Sequence, residues 1–156
     1  MAGRLQQEIK QTKPFDSLET EAALNIIRTA AELNARHAEV LKPYDLTTPQ
    51  YNVLRILRGT GGAGLACGEI GDRMLTRDPD VTRLLDRLVA AGLVDRGRDT
   101  ADRRVVLTRI TAKGRDLMKR LDLLFAEGPK TGLEHLGSKR LRTLINLLEA
   151  ARVGTA

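Results

Sequence analysis

Eight arginines and no lysine occupy the stretch between residues 73 and 104: Arg73, Arg77, Arg83, Arg87, Arg96, Arg98, Arg103 and Arg104. A guanidinium is a permanently charged planar fork of N–H donors. It matches the paired acceptors of a phosphate or a guanine edge, which a lysine meets only as a point charge. Thr76, Asp80, Thr82 and Asp102 lie among these cations and add short polar groups. The chemistry on offer is recognition of a polyanion. Other chemistries are poorly supplied, since the chain holds two histidines, one cysteine and no tryptophan. His37 and Glu39 stand two apart and so point to different sides of a helix, while His135 falls in a glycine-bearing linker. No serine, histidine and acid follow one another in a catalytic order, and one cysteine is too few for a disulfide framework or a structural zinc site. The expectation is a protein that is not an enzyme and holds no metal or cofactor. Cys67 sits on an apolar stripe, which favours a core role; an oxidation sensor is the alternative.

The elements that must position these arginines follow from spacing. Val81, Leu84, Leu85 and Leu88 fall at i, i+3, i+4 and i+7, one face of a helix, with Arg83, Asp86 and Arg87 opposite. Asp78 is placed to cap this helix and Pro79 to open it. Upstream, Cys67, Ile70 and Met74 stripe a short helix, and Leu75-Thr76-Arg77 makes the turn between the two, with Gly71 letting them come close. Downstream, Gly92 stops the second helix. Residues 93–98 and 105–110 then predict two strands around the polar loop from Asp99 to Arg104. Thr111 is a cap for a helix starting at Ala112. Helix, turn, helix, arginine-tipped hairpin and capped helix is the layout of a winged helix-turn-helix, a module that reads DNA.

The run Val81-Thr82-Arg83-Leu84-Leu85-Asp86-Arg87-Leu88, then Gly92-Leu93-Val94, Asp102-Arg103-Arg104, Leu107 and Ile110-Thr111-Ala112-Lys113-Gly114 closely resembles the multiple-antibiotic-resistance regulator (MarR) family. The resemblance spans residues 18–151 and is specific over 46–114. It implies a homodimeric, mainly helical repressor, less often an activator, of a pseudo-palindromic double-stranded DNA operator. It further implies release of DNA when a small, often aromatic ligand binds between the dimer region and the reading head. By position, Thr82 and Arg83 match groove-facing residues and Asp102 and Arg104 the wing-tip pair. The candidate DNA-binding set is Thr76, Arg77, Asp80, Thr82, Arg83, Arg87, Asp102, Arg103 and Arg104. The acids of Arg77-Asp78-Pro79-Asp80 depart from the small polar residues of many relatives. Near phosphates they would repel, so acceptance from a cytosine amino group or a neighbouring arginine is expected.

A chain of 156 residues with 42% apolar content suits one compact domain with added dimerisation helices, and a net charge of +6 suits a polyanionic partner. The predicted division is a polar N-terminal extension over 1–16, a dimerisation helix within 17–45, the winged helix-turn-helix over 46–111 and C-terminal dimerisation helices over 112–156. From Leu18 to Leu41, Leu24, Ile27 and Ala31 repeat with three-four spacing beside a second row of Ile26, Leu33 and Val40. Two apolar rows face two neighbours. Leu117, Leu121, Leu124 and Phe125 make a later stripe, broken at Gly128-Pro129, and Leu141, Leu144, Ile145 and Leu148 another. Such stripes can close a symmetric dimer or be satisfied within one chain. The fold expected is mainly α with a small β-hairpin wing.

Leu46-Thr47-Thr48-Pro49 opens a further helix, ending in Gly59-Thr60-Gly61-Gly62-Ala63-Gly64. Those glycines spell a dinucleotide fingerprint, but a helix precedes them where that motif requires a strand, so a flexible connector is expected. A small-molecule effector pocket is expected from Arg36, His37, Tyr44, Tyr51 and Arg55, suited to an aromatic acid. No secretory pattern opens the sequence and no apolar run nears the ~20 residues that cross a bilayer, which predicts a cytoplasmic protein without a membrane partner. The rival to DNA reading is a winged helix that binds protein instead.

Overall fold

The computed structural model describes residues 3–77, 80–127 and 132–153. In order come α1 (Arg4–Glu8), α2 (Leu18–Leu41), α3 (Thr48–Arg58), α4 (Cys67–Arg73), α5 (Val81–Ala90), β1 (Val94–Arg98), β2 (Val106–Ile110), α6 (Ala112–Glu127) and α7 (Gly137–Val153). Short 3-10 turns follow α2 at Lys42–Tyr44 and precede α7 at Glu134–Leu136. The mainly helical chain with one hairpin is the fold class the sequence predicts.

The head is built around α3. Thr47 Oγ1 accepts from the Gln50 N–H and Gln50 Oε1 accepts from the Thr47 N–H, a reciprocal cap that fixes where α3 begins. Val53, Leu54 and Leu57 are fully buried against Leu41, Ile70, Leu85, Leu88, Ile110, Met118 and Leu121. Each such side chain contributes on the order of 1.5–3 kcal/mol by leaving water. Leu84, Leu85 and Leu88 form the buried face of α5, as the spacing predicts.

The hairpin pairs antiparallel from Val94↔Ile110 to Arg98↔Val106. Gly92, at φ 70°, turns the chain out of α5, and the Leu93 N–H donates to the Leu88 carbonyl at 3.0 Å. Thr111 closes the loop of structure. Its hydroxyl donates to the Gly92 carbonyl at 2.8 Å, its oxygen accepts from the Gly114 N–H at 3.0 Å, and its N–H donates to the Leu93 carbonyl at 3.1 Å. The end of α5, the return strand of the wing and the start of α6 are therefore one bonded unit.

Two expectations need correction. The glycine stretch is no mere flexible connector, because Leu65 exchanges two backbone bonds with Thr108 at 3.0 and 2.8 Å and adds a third short edge to the hairpin. Gly64 is required there: at φ 81° a Cβ would approach the Thr108 carbonyl oxygen to 2.9 Å. Further on, α5 begins at Val81 with Asp80 as its cap, two residues later than the cap read at Asp78. Asp78 and Pro79 themselves lie outside the described residues, as does the break at Gly128-Pro129. The physical reason is reach: Asp80 Oδ1 accepts from the Arg83 N–H at 3.0 Å, the three-residue span an N-cap needs.

The long terminal helices contrast with the head. Ser17 caps α2 by accepting from the Thr20 N–H, yet of its 24 residues only Leu41 is buried. No described residue of α7 is buried. The extension over 1–16 includes a docked turn of helix, since Leu5 of α1 is buried.

Candidate nucleic-acid interface

The turn at Leu75-Thr76-Arg77 after α4, and α5, carry the expected side chains in exposed positions. Thr76, Arg77, Thr82, Arg83, Asp86 and Arg87 are all exposed. Asp80 is exposed as well, but one carboxylate oxygen is held by the start of its own helix. An acid at this position also complements the positive end of α5. Thr82 Oγ1 lies 3.7 Å from the sulfur of Cys67, which is half-buried at the first turn of α4.

Arg96, outside the expected DNA-binding set, is exposed yet paired. Its Nη1 donates to Asp86 Oδ1 at 2.6 Å and its Nη2 donates to the Thr82 carbonyl at 3.4 Å. The side chain thus ties β1 to the outer face of α5. It also offsets the carboxylate that would otherwise oppose a phosphate.

At the wing tip, Asp102 accepts from the Arg104 N–H at 3.0 Å, from Nε at 3.1 Å and from Nη2 at 3.1 Å. This side-chain fork, then the backbone bond, holds the Asp102 carboxyl below its ordinary pKa. The Arg104 side chain is nevertheless 91% exposed, so the fork orients a guanidinium without hiding it. Arg103 beside it is exposed too. Thr82, Arg83 and Arg87 on the helix and Arg103 and Arg104 on the wing are thus all exposed polar or cationic side chains.

The residues expected to bind a ligand are only partly brought together. The His37 ring packs edge-on against Phe125 with centroids 5.4 Å apart, and Tyr51 meets Phe125 at the same distance. Three elements, α2, α3 and α6, therefore converge on one aromatic cluster. Burial raises the Tyr51 phenol pKa, helped by Asp122 and opposed by Arg55 and Arg58. Tyr44 is half-buried against the core and Arg55 is exposed. Arg36 does not join the cluster: one residue before His37 is about 100° around the helix. It lines instead a separate cavity of about 330 Å³ with Arg4, Arg28, Glu32 and His135.

Sequence reading missed Phe125, which it placed only in an apolar stripe, and the Arg96–Asp86 tie, whose partners are ten residues apart in different elements. It also missed Asn52, buried on α3 with its Oδ1 accepting from the Leu75 N–H at 2.9 Å. A polar residue directly before the core pair Val53-Leu54 was the available signal. Among the described residues no group of histidine, cysteine and acidic side chains could hold a metal, and no helix is long and apolar enough to cross a membrane.

Residues 44–105, from the end of the first 3-10 turn through the wing tip, match the model of the MarR family. A MarR transcription factor from Planctomyces limnophilus shares 40% identity at a TM-score of 0.65, covering 87% of this chain and 98% of that one. The chain belongs to the MarR family. The HTH-type transcriptional regulator TtmR of Methylorubrum extorquens (strain PA1) is 36% identical over 118 residues, which are 75% of this chain and 60% of that relative's length. A cysteine-to-serine mutant of MarR from E. coli, complexed with operator DNA, superposes with a TM-score of 0.74 at 27% identity, over 87% of this chain and 99% of that one. These MarR relatives are transcription regulators rather than enzymes, in line with the sequence reading.

Proposed function

We propose that this chain is a homodimeric transcriptional repressor that reads a pseudo-palindromic operator through α5 and the wing, and that a small aromatic ligand relieves repression. The observation that carries the reading is the joint exposure of Thr82, Arg83 and Arg87 beside an Arg104 already oriented by Asp102. Arg83, with Thr82, reads base edges in the major groove; Thr76, Arg77 and the wing arginines engage the backbone and the minor groove. The likeness to an E. coli MarR complexed with operator DNA supports DNA as the partner.

Support for pairing comes from the unburied terminal helices. Leu18, Ile26, Ile27, Leu123, Ile145, Leu147 and Val153 are exposed apolar side chains on α2, α6 and α7, which a partner surface would cover. A second copy covering these faces gives two reading heads about one helical turn apart. The His37–Phe125–Tyr51 cluster joins α2 and α6 to the head, so a ligand seated there would favour one head spacing over another.

The test is filter binding over rising salt, together with Arg83→Ala. Binding at low salt with a steep log–log salt dependence is expected. Arg83→Ala should relax base choice within a half-site by about 1–3 kcal/mol. Absence of binding to any duplex at low salt would favour a winged helix that binds protein.

A further inference from the structure

We propose that Asn52 is a positioning residue for operator reading: from within the core it holds the turn that presents Leu75, Thr76 and Arg77 to DNA. The inference rests on the reading of α5 and the wing as a DNA interface, and it adds a residue that touches no DNA.

Asn52 lies on α3, only 6% exposed, between the core residues Val53 and Leu54 and the aromatic Tyr51. Its Oδ1 accepts from the Leu75 N–H at 2.9 Å, across 23 residues of chain. Only the oxygen can face that donor, so the amide orientation is fixed. The cost is visible on the other side of the same group, where the buried Nδ2 has no hydrogen-bond partner among the described residues. A leucine or alanine at this site would leave no amide nitrogen unsatisfied. What the asparagine alone supplies is a specified place for the turn. Leu75 has left α4, where Met74 already adopts extended geometry, so its N–H has no partner within a helix. With that N–H anchored, the Leu75 side chain points outward, 76% exposed, and Thr76 and Arg77 follow it to the surface just before the Asp80 cap of α5. Both ends of the connection into α5 are thereby pinned by side-chain oxygens, Asn52 before it and Asp80 after it.

The experiment compares the full chain with Asn52→Leu, with Asn52→Ala in case the leucine variant does not fold, and with Asn52→Asp, which keeps an acceptor oxygen. Amide hydrogen exchange is followed at Leu75. Affinities are measured for a duplex selected from random sequence by the wild-type protein and for a scrambled duplex of equal length. In Asn52→Leu and Asn52→Ala the Leu75 amide should exchange at least about tenfold faster while the core amides of α3 and α5 keep their protection. The ratio of selected to scrambled affinity should fall by about tenfold at a temperature where every variant is folded. Asn52→Asp should retain both properties. A merely structural asparagine would lower stability and weaken both duplexes alike, leaving the ratio unchanged; that result overturns the proposal, as does an unprotected Leu75 amide in the wild type. If the wild type selects no duplex, the DNA reading itself fails, and the proposal falls with it. If it selects one that all variants bind with the same preference, only the role of Asn52 fails.

Discussion

Two glycines in helices should respond to the same substitution with opposite signs. Gly114 stands in the first turn of α6, and an alanine Cβ there would overlap the Leu93 carbonyl oxygen and come within 2.7 Å of Ile110 Cγ1. Both are poorly able to retreat. The Leu93 carbonyl is bonded to the Thr111 N–H, and Ile110 is a buried core residue of the hairpin. Alanine gains at most about 1 kcal/mol over glycine in helix propensity. Forcing a methyl into a packed core costs about 1–3 kcal/mol, and the strained backbone bond adds about 1 kcal/mol more. Gly114→Ala should therefore lose about 2 kcal/mol, which lowers Tm by roughly 4–8 °C for a chain of this size. At Gly71 in α4 the same Cβ meets only Val81 Cγ2, at 3.6 Å, an ordinary contact. Gly71→Ala should gain up to about 1 kcal/mol, so the approach of α4 to α5 does not need this glycine. Urea unfolding at one fixed protein concentration measures both, since pairing makes stability concentration-dependent. A Gly114→Ala protein as stable as the wild type, or two shifts of the same sign, would refute the close-contact reasoning.

Other outcomes follow from the site. Asp102→Asn should weaken the fork on Arg104 and reduce operator affinity with little change in stability, because the pair is exposed; fluorescence anisotropy and thermal melts on the same samples check it. The carboxyl pKa of Asp102 is depressed, so its contribution to wing order is present above the unfolded value and is lost as pH falls through the folded one. NMR titration of its side-chain carbon should find a midpoint below the ordinary carboxylate range. The pKa of Tyr51 is raised, so the stability that its neutral phenol contributes is full below the unfolded value and is lost as pH rises through the folded one. With Tyr44→Phe, the remaining phenol should titrate above pH 10 by ultraviolet absorbance. Arg58 and Asp122 pair at 2.5 Å while being about one-third and one-half exposed. A double-mutant cycle should therefore give a coupling of no more than about 1 kcal/mol.

Legibility divided along physical lines. Features set by neighbours in sequence were readable: the apolar stripe of α5, Gly92 as its stop and the Thr111 cap each depend on residues within a few positions. The existence of α2 was readable from its three-four spacing. Contacts between distant elements were not readable. Nothing in the order of residues says that Arg96 will pair with Asp86, that Leu65 will pair with Thr108, or that Asn52 will reach Leu75. Arg36 and His37 are adjacent in sequence and were expected in one pocket, but helix geometry sends them to different surroundings. The cap at Asp80 was obscured by a second aspartate two positions earlier, since either acid has the right chemistry and only the folded backbone selects between them.

Two-fold reading of DNA by α5 and the wing is decided by sequencing the duplexes that the purified chain retains from a random pool. Enrichment of an inverted repeat is expected, with half-site centres about 10 base pairs apart or a whole number of helical turns. Retention of a single unrepeated motif would contradict the two-fold reading, and no enrichment at low salt would contradict DNA recognition by α5 and the wing.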